Sequence, residues 1–522
     1  MNALQKMIQN RISRIVLVLL VVQPVLDVFS YFMTEYGSNL FSTLLRFLML
    51  GAVALLGFLA TEKKRAYLCI YGVMALYWVL HAANCFRIGY LSLYQDTANY
   101  LRILTFPVFM LSFLTFFRHS GEELRRTLGL GFVINIGLSA LFTALPWGLA
   151  AIGIGERVYT YDKLFVGVMG WFAIPNAQSC IIILLTPLAL YFSYRTKRLW
   201  AFALTALAAF GLMYVMGTKL TYYSIFLIPA AMCFVFLLNP GRKKALPYMA
   251  VLLCVAVLGF VFRSYSPMQI REGMTDYSQG YLRDLVEQSL EESGASEEAM
   301  ESIRSGTVEE DLSDAEAARR LMEVRRGLLG IYTDPEVYGD ILVDLNDRFG
   351  VYNVMSAYHY SADSWSLSDL RLRKTKFAQL VWRECDLPTK FLGFEYSKML
   401  HNDNVYDLEN DFPAVYYNCG WVGFALYLLL LVYVAVVLLR AFFRDPFHYL
   451  TPELGAAGIT FVLALGSAQI SGYVLRRPNV AIYLAVTTAY LCYLSQRYLT
   501  EHPEQVPWFR WSFWKEKLKR SK

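Results

Sequence analysis

Long apolar runs separated by short polar connections make up most of the chain. A helix needs about 20 mostly apolar residues to cross the hydrocarbon core of a bilayer. The segments that approach or exceed this length cover residues 14–33, 40–60, 66–85, 99–117, 127–148, 177–194, 199–217, 220–238, 246–263, 413–438, 453–473 and 479–496. The pattern therefore predicts an all-α polytopic membrane protein with about 12 transmembrane helices, because a helix satisfies its own backbone hydrogen bonds in lipid.

One long polar stretch, residues 264–412, interrupts this pattern between the ninth and tenth spans. Ser313-Asp-Ala-Glu316 has the sequence of a capping box, which predicts a helix over 315–329 that ends at Gly330. A second helix is predicted to begin near Ser368, whereas the acidic residues 281–312 are predicted to be mobile. The stretch is therefore expected to form one large, mostly helical loop domain.

The chain is thus predicted to have four parts. They are transmembrane helices 1–9 in residues 1–263, the loop domain in 264–412, transmembrane helices 10–12 in 413–496, and a basic tail in 497–522.

Charge is distributed unevenly among these parts. The 522 residues are 56% hydrophobic and only 17% charged, with a net charge of +6. Residues 264–412 contain 15 Lys and Arg against 29 Asp and Glu, so this stretch carries −14 and the remainder carries +20. Basic residues beside apolar spans mark the cytoplasmic side of a membrane protein. The positive excess therefore indicates membrane topology, and nucleic acid is not expected as a partner.

Basic residues recur at every second connection and at both termini. They lie at Lys6, Arg11 and Arg14, in 61–65, 118–126, 195–198 and 239–244, at Arg440 and Arg444, and throughout 497–522. This alternation predicts that both termini are cytoplasmic, that the number of spans is even, and that residues 264–412 face the outside.

Three charged residues lie inside predicted spans, where ionised groups are costly and usually face the protein interior. Asp27, Arg46 and Arg102 belong to the first, second and fourth spans. Asp27 is expected to pair with one of the two arginines. Two interpretations of the three residues stay open: a structural ion pair with side chains reaching the interface, or a role near a substrate channel.

Further basic residues lie on the predicted outer side, against the charge bias. They are Lys219 in a short hairpin between the seventh and eighth spans, Arg371 and Arg373 in the cluster Arg371-Leu-Arg373-Lys374 late in the loop domain, and Arg476 and Arg477 after the eleventh span. Each group alone is compatible with a headgroup anchor or a solvated helix face. Together they are predicted to bind a diphosphate group, whose oxygens arginine grips bidentately.

The end of the polar stretch carries the candidate catalytic base. Glu409 and Asp411 lie closest to the tenth span among several acidic residues. A partly desolvated carboxylate there is expected to have a raised pKa and to accept a proton from a hydroxyl group. His401 is a weaker candidate, because a lone histidine is often an ordinary polar loop residue. An acidic interfacial loop without catalytic residues is the alternative.

Cysteine spacing predicts neither a metal site nor a cofactor. Six of the eight cysteines lie in or beside predicted spans, and Cys85 and Cys385 are the two that could meet in an outside compartment. Whether these two pair is left open. No Cys-x-x-Cys or Cys/His spacing suggests a metal ion.

Glu409-Asn410, followed after nine residues by Gly420, resembles a motif of the O-antigen ligase and polysaccharide polymerase superfamily. The family motif is His, then Asn, Ser or Gln, then nine residues, then Gly. Glu409 and Asn410 precede Gly420 in this register, with Glu in place of His. The nearby His401-Asn402 pair does not reach a glycine in the same register. The Glu form is similar to the polymerase branch.

Three further segments resemble family features. Phe391-Leu-Gly393-Phe394 is similar to a Leu-Gly-x-Gly turn before the motif, and residues 170–176 are similar to the entry of the sixth span. Gly217-Thr218-Lys219 is similar to a Gly-Ser-Arg hairpin. The likeness covers most of the chain as architecture, with many spans and one large outer loop late in the sequence.

This resemblance implies a C-type glycosyltransferase-like membrane fold in the bacterial cytoplasmic membrane. It implies metal-independent, inverting transfer of a glycan from undecaprenyl diphosphate to an acceptor sugar hydroxyl on the outer face, with Glu409 as base. The implied partners are a polyprenyl-diphosphate-linked glycan donor, a glycan acceptor, the lipid bilayer and other polysaccharide-assembly proteins. The sugar, the linkage, the oligomeric state and the choice between polymerase and ligase are left open.

Two other functions are compatible with the sequence. A transporter or lipid-linked-glycan flippase would place functional charges near the middle of the membrane, in spans broken by Gly or Pro. A non-catalytic membrane scaffold or sensor would bind a partner through its acidic outer domain, and Glu409 would then be dispensable.

Overall fold

Helices form nearly all of the protein. The computed structural model describes residues 3–35, 37, 40–239, 241–308, 310, 315–444, 446–472 and 474–501. The helices of the first half are α1 (Ala3–Glu35), α2 (Leu40–Ala60), α3 (Lys64–Ile88), α4 (Leu93–Ala151), α5 (Pro175–Arg195), α6 (Leu199–Met216), α7 (Lys219–Leu238) and α8 (Arg242–Val261). Short 3-10 turns lie at Asp162–Leu164 and Arg263–Tyr265.

The second half adds shorter helices and one small hairpin. The helices are α9 (Pro267–Glu292), α10 (Glu297–Ser305), α11 (Ala315–Thr333), α12 (Gly339–Phe349), α13 (Val351–Ala357), α14 (Ser364–Ser368), α15 (Leu370–Glu384), α16 (Leu387–Leu392), α17 (Asp411–Phe442), α18 (Pro446–Tyr449), α19 (Pro452–Ile470) and α20 (Pro478–Glu501). A 3-10 turn at Tyr396–Met399 precedes the antiparallel strands β1 (Leu400–His401) and β2 (Asn404–Val405).

Within the described ranges, ten helices are long and apolar enough to cross a membrane: α1 to α8, α17 and α19. α4 has 59 residues and covers the predicted fourth and fifth spans, with Ser120 between them in a non-helical conformation (φ −128°, ψ 30°). α20 coincides with the predicted twelfth span but is not one of the ten. The prediction of an all-α polytopic membrane protein is confirmed, and the number of about 12 spans stays a prediction.

The described residues divide into two compact units. The first unit draws on Met1–Val73, Leu101–Ile270 and Leu426–Lys522, and the second on Met74–Tyr100 and Arg271–Ala425. These units cut across the four parts expected from the sequence, whose boundaries stay a prediction.

α5 is the most continuously buried helix of the first unit, from Ala177 to Ser193. α6, α7, α19 and α20 pack against it. A Cβ at Gly455 of α19 would lie 2.5 Å from a methyl carbon of Val235 in α7. Small residues of this kind let neighbouring helices approach closely in lipid, where hydrophobic transfer gives helices little reason to associate.

Amphipathic helices enclose the core of the second unit. Val286 and Leu290 of α9, and Ala299 and Ile303 of α10, are buried in that core. Each pair is spaced i, i+4, so the acidic sequence presents an apolar stripe on one helix face. The prediction that residues 281–312 are mobile is therefore wrong for the parts that belong to α9 and α10.

The helix predicted to start at Ala315 is present and longer than expected. α11 continues through Gly330 to Thr333. A Cβ at Gly330 would lie 2.6 Å from the hydroxyl oxygen of Ser289, so this glycine permits close packing and does not end the helix. The predicted capping box begins at Ser313, which lies outside the described residues.

Hydrogen bonds hold Met74–Tyr100 within the second unit. The hydroxyl group of Tyr77 donates to the carbonyl oxygen of Leu392 at 2.8 Å, and Asn84 Nδ2 donates to the hydroxyl oxygen of Thr389 at 3.0 Å. The partners of Tyr77 and Asn84 are 315 and 305 positions away in the chain. Local hydropathy predicted that the start of this segment belongs to the third span, 66–85, and it did not indicate these hydrogen-bond partners.

Candidate functional site

Glu409 lies between two cations of α15. Its Oε2 accepts a hydrogen bond from Arg371 Nε at 2.9 Å, and its Oε1 accepts one from Lys374 Nζ at 3.0 Å. The side chain of Glu409 is 11% exposed, that of Lys374 is 14% exposed and that of Arg371 is 36% exposed. The cluster is therefore shielded from water around Lys374 and more open at Arg371.

Local sequence explains how the two helices beside Glu409 begin. The carboxylate of Asp369 caps α15 by accepting from the backbone nitrogen of Arg371, a favoured role for Asp. α17 begins at Asp411, with Pro413 in its first turn, where a missing N–H has no intrahelical partner to lose. Glu409 thus lies in the short non-helical segment just before α17.

The two cations set the direction in which the pKa of Glu409 is shifted. Burial by itself raises the pKa of its carboxyl group, but the hydrogen bonds and charges of Arg371 and Lys374 outweigh burial and hold that pKa below its ordinary value of 4.5. Glu409 is therefore a carboxylate at neutral pH. The expectation of a raised pKa is wrong, because it considered desolvation without the cations that α15 contributes.

Lys374 is a site residue that the sequence analysis did not assign. It follows Arg371 by three positions, and residues at i and i+3 share one helix face. This spacing was the sequence feature that could have placed Lys374 on the same helix face as Arg371. Arg373 has a different partner from Arg371 and Lys374, because its Nη1 donates to the carbonyl oxygen of Ile341 at 2.6 Å.

The other two candidates for the base lie in different surroundings. Asp411 is the first residue of α17 and is fully buried, where the positive end of the helix dipole favours a negative charge. His401 lies on β1, with its Nε2 at 2.9 Å from Asp347 Oδ2 of α12. His401 is therefore tied to α12 rather than to the Glu409 cluster.

The two motif glycines pack against each other. Gly420 interrupts α17 with φ 61° and ψ −171°, and Gly393 has φ 86° and ψ 161°. Both conformations belong almost exclusively to glycine. A Cβ at Gly420 would lie against the backbone nitrogen of Gly393 and 2.6 Å from the carbonyl oxygen of Phe391. Residues 391–394 and the motif that ends at Gly420 resemble family features separately in the sequence. In the structure their backbones are in contact.

Two buried carboxylates, Glu395 and Asp96, hold the segment that leads into the 3-10 turn at Tyr396–Met399. Neither residue was a candidate in the sequence analysis. Glu395 is fully buried and accepts from the backbone nitrogens of Leu91 at 2.8 Å and Ser92 at 2.5 Å. Asp96 accepts from the backbone nitrogen of Tyr396 at 3.0 Å. Buried carboxylates are tolerated only with such partners, so these two residues have a structural role.

One group among the described residues has the composition of a metal site. Ligand atoms of His81, Cys85 and Asp96 lie within 4.8 Å of one another, and their His-x-x-x-Cys spacing was overlooked. Nδ1 of His81 is 2.7 Å from the carbonyl oxygen of Leu392, and Nε2 is 3.0 Å from Asp96. Both nitrogens can donate when the imidazole is protonated, so the group fits an ion pair. Cys85 and Cys385 are both free cysteines.

In the first unit, the charges predicted inside the membrane line one cavity. Arg46 Nη2 donates to Asp27 Oδ1 at 2.6 Å, so Asp27 pairs with Arg46 and not with Arg102. Asn479 Nδ2 donates to the same oxygen at 3.1 Å. Arg102 and Arg477 line the same cavity of about 270 Å³. The structure therefore joins Arg477, a predicted diphosphate ligand, with both intramembrane arginines.

The remaining predicted cations are placed separately. Lys219 is the first residue of α7 and is exposed. Arg476 lies in the segment that connects α19 to α20 and is buried. Among the described residues neither lines that cavity. The predicted convergence of Lys219, Arg476 and Arg477 with Arg371 and Arg373 stays a prediction, because the two sets belong to different units.

These features define a class of protein. It is a multi-pass, nearly all-helical membrane protein, with an ionised carboxylate held between two cations in one unit and an arginine-lined cavity in the other. A carboxylate of this kind suits a hydroxyl group, and arginine side chains suit phosphate oxygens.

The chain belongs to the family of O-antigen ligase like membrane proteins, whose family model matches residues 9–496. The resemblance inferred from the motifs is confirmed, and the family has a membrane glycan ligase or polymerase role. No curated protein matches the chain.

Proposed function

We propose that the protein transfers a glycan from undecaprenyl diphosphate to an acceptor sugar hydroxyl on the outer face of the bacterial cytoplasmic membrane. The family gives the ligase or polymerase class. The observation that supports this reaction best is the Glu409 carboxylate, held by Arg371 at 2.9 Å and Lys374 at 3.0 Å. The basic even-numbered connections support cytoplasmic termini and an outer site.

Glu409 would act as the general base. It would accept the proton of the acceptor hydroxyl while that oxygen forms a bond to the anomeric carbon of the donor glycan. The bond between the anomeric carbon and the diphosphate oxygen breaks, and its electron pair leaves with undecaprenyl diphosphate. Attack opposite the leaving group inverts the anomeric configuration.

Cationic side chains would stabilise the charge that develops on the departing diphosphate. Fixed donors aimed at such charge are worth more in a water-poor site than in water. The residues proposed for this role are Lys219, Arg371, Arg373, Arg476 and Arg477. They supply the positive charge for which other transferases recruit a divalent ion, and the proposal therefore includes no metal.

The Glu409 cluster suggests how donor binding would activate the base. Arg371 is the more exposed of the two partners of Glu409, and its guanidinium can bind phosphate oxygens bidentately. A donor diphosphate that draws Arg371 away removes part of what lowers the Glu409 pKa. The carboxylate then becomes more basic only when the donor is present.

The pH profile tests this arrangement. Because the Glu409 pKa is held below 4.5, the acid limb of kcat/KM, which reports the free enzyme, is expected below pH 4.5. Lys374→Met removes one of the cations that lower this pKa and is expected to move the limb upward. The ion pair stabilises the fold above the unfolded pKa of Glu409, and this contribution is lost as pH falls through the folded pKa.

Arg320→Met is the matched control for this measurement. Arg320 is also in the second unit, on α11, with a side chain that is 57% exposed, so its loss removes one positive charge without touching Glu409. An acid limb that stays in place in Lys374→Met, or that moves equally in both variants, would show that Glu409 is not the titrating group.

Turnover by the purified full chain tests the proposed function itself. The substrate is an undecaprenyl-diphosphate-linked glycan, and the measurements are released undecaprenyl diphosphate and the anomeric configuration of the new linkage. Release that depends on an acceptor sugar, with inversion, is the expected result. Movement of the intact donor across a vesicle membrane without bond cleavage would instead support a flippase, and neither activity would support a scaffold.

A further inference from the structure

A groove lies between α4, α5 and α6 of the first unit. Its volume is about 560 Å³. The wall includes Arg126 and Leu130 of α4, Arg195 of α5, and Trp200 and Leu204 of α6. A wall that joins charged and apolar side chains of membrane-spanning helices suits a ligand that has a charged part and a hydrocarbon part.

The charge of this groove is positive. Its described lining contains two arginines and no carboxylate. Arg195 is exposed and has no ion pair within the part of the chain that the structure describes. Arg126 has a 77% exposed side chain, and its Nε is 3.7 Å from Oε1 of Glu122, whose closer partner is Arg125 at 3.0 Å. Exposed ion pairs contribute little to stability, so both lining guanidinium groups can turn to an anionic ligand.

The groove becomes apolar away from its arginines. On α4, Leu130 and Val133 follow Arg126 by four and seven positions, which places Val133 about 10 Å further along the helix. On α6, Leu204 follows Trp200 by four positions. Leu130 is 54% exposed and Leu204 is 57% exposed. Two large apolar side chains thus stay open to a neighbouring molecule beyond the charged end.

The charged end lies on the side that the topology predicts to be cytoplasmic. Residues 118–126 and 195–198 are two of the basic connections, and each contributes one arginine to the groove. Trp200 is 62% exposed and lies beside them at the start of α6. Tryptophan is typical of the membrane–water interface. Basic pockets between spans on the cytoplasmic side suit anionic lipid headgroups.

We propose that this groove binds one anionic phospholipid of the cytoplasmic leaflet, such as phosphatidylglycerol. Its phosphate oxygens accept hydrogen bonds from Arg126 and Arg195. One acyl chain packs along Leu130 and Leu204. A zwitterionic phospholipid is disfavoured, because its ammonium group would approach two guanidinium groups where the described lining offers no carboxylate. The site belongs to a different unit from Glu409 and does not rest on the proposed function.

The double variant Arg126→Gln with Arg195→Gln tests the headgroup contacts. Both side chains are exposed, so the variant is expected to fold with the stability of the wild type. Its affinity for phosphatidylglycerol should fall by about 10- to 100-fold, the usual effect of losing hydrogen bonds to a charged partner. The measurement is the lipid-bound fraction of the detergent-solubilised full chain in native mass spectra, over a titration with phosphatidylglycerol.

Arg242→Gln with Lys243→Gln is the matched control. These two exposed residues begin α8 at another basic connection, and neither lines the groove. The control loses the same charge and is expected to bind phosphatidylglycerol like the wild type. An equal loss of affinity in both double variants would show attraction to the overall surface charge. Wild-type affinity in Arg126→Gln with Arg195→Gln would show that the arginines do not hold the lipid. Either result overturns the proposal.

Ala201→Phe tests the apolar part of the groove. Ala201 lines the groove on α6 and is partly exposed, so a phenyl ring there fills the path proposed for the acyl chain. Affinity for phosphatidylglycerol is expected to fall several-fold although both arginines remain. Ala203→Phe is the control, because Ala203 is also partly exposed on α6 but does not line the groove. Unchanged affinity in Ala201→Phe would contradict an acyl chain in the groove.

Two further ligands test the class of ligand. Phosphatidylcholine is expected to bind about 10-fold more weakly than phosphatidylglycerol, because its headgroup has no net negative charge. Soluble glycerol 3-phosphate has no acyl chain and should not compete. Equal affinity for phosphatidylcholine would show an unselective apolar groove, and competition by glycerol 3-phosphate would show a site for free anions. Either result would overturn the assignment to an anionic phospholipid.

Cysteine labelling tests the leaflet. Arg198→Cys places a thiol on the exposed connection between α5 and α6, beside the groove. A membrane-impermeant maleimide is expected to label this variant only after the cells are permeabilised, with the wild type as the blank for the native cysteines. Labelling in intact cells would place the groove on the outer side and overturn the assignment to the cytoplasmic leaflet.

Discussion

Glu409→Gln is expected to lower the turnover of the purified protein by about 10²- to 10⁴-fold, the usual contribution of general-base catalysis. Glutamine has nearly the same shape as glutamate, and its single side-chain oxygen can still accept a hydrogen bond from one of the two cations, but it cannot take a proton from the acceptor hydroxyl. The variant should therefore fold, insert into the membrane and bind the donor. Release of undecaprenyl diphosphate from the glycan-linked donor is the measurement.

Three matched variants make this result specific. Glu316→Gln, at a side chain that is 70% exposed in the same unit, is the control for the chemical change and should be as active as the wild type. Asp411→Asn should reduce turnover less than Glu409→Gln, and His401→Ala should reduce it less again. Normal turnover by Glu409→Gln together with an inactive His401→Ala would assign the base to the histidine and favour a ligase over a polymerase.

Gly420→Ala is expected to destabilise the protein by about 2 to 6 kcal/mol, the sum of backbone strain at a glycine conformation and of overpacking. Gly420 has φ 61° and ψ −171°, and its new methyl group would meet backbone atoms of Gly393 and Phe391. Backbone cannot rotate away as a side chain can. The loss is a large share of the stability of about 5–15 kcal/mol that is typical of a folded protein.

The measurement is the melting temperature and monodispersity of the detergent-solubilised protein in size-exclusion chromatography. Gly458→Ala is the control, because a Cβ at Gly458 in α19 would have no atom within 4 Å and alanine favours helix. Gly393→Ala should resemble Gly420→Ala, since the two glycines share one contact. A stable and active Gly420→Ala would mean that the close approach of the two segments is not required.

The spans show how far hydropathy alone predicts this fold. Transfer into lipid depends on the composition of each segment, so the segments 40–60 and 220–238 could be placed from local sequence and lie on α2 and α7. The break at Gly420 was not predicted within the tenth span, because it arises from packing against residues near Gly393. α20 is polar for a span, and its Thr487 and Thr488 are fully buried by neighbouring helices.

The site shows the same division between local and tertiary information. The motif register pointed to Glu409 and Gly420 because the spacing of a motif is a property of the sequence. Arg371 and Lys374, which lie 38 and 35 positions away, lower the pKa of Glu409, and the expected pKa shift therefore had the wrong direction. The i, i+3 spacing of Arg371 and Lys374 indicates a shared helix face, but only the packing of α15 decided that this face meets Glu409.

By itself, the sequence determined the membrane class, most of the helices, the family and the candidate base. These follow from composition, periodicity and motif spacing, which are properties of neighbouring residues. Only the tertiary structure decided that Asp27 pairs with Arg46 and accepts from Asn479, 452 positions away. It alone placed Arg102 and Gln178 in one cavity with Arg477. Charges and hydrogen bonds act over a few ångströms in space, and the packing of distant helices sets which groups come within that distance.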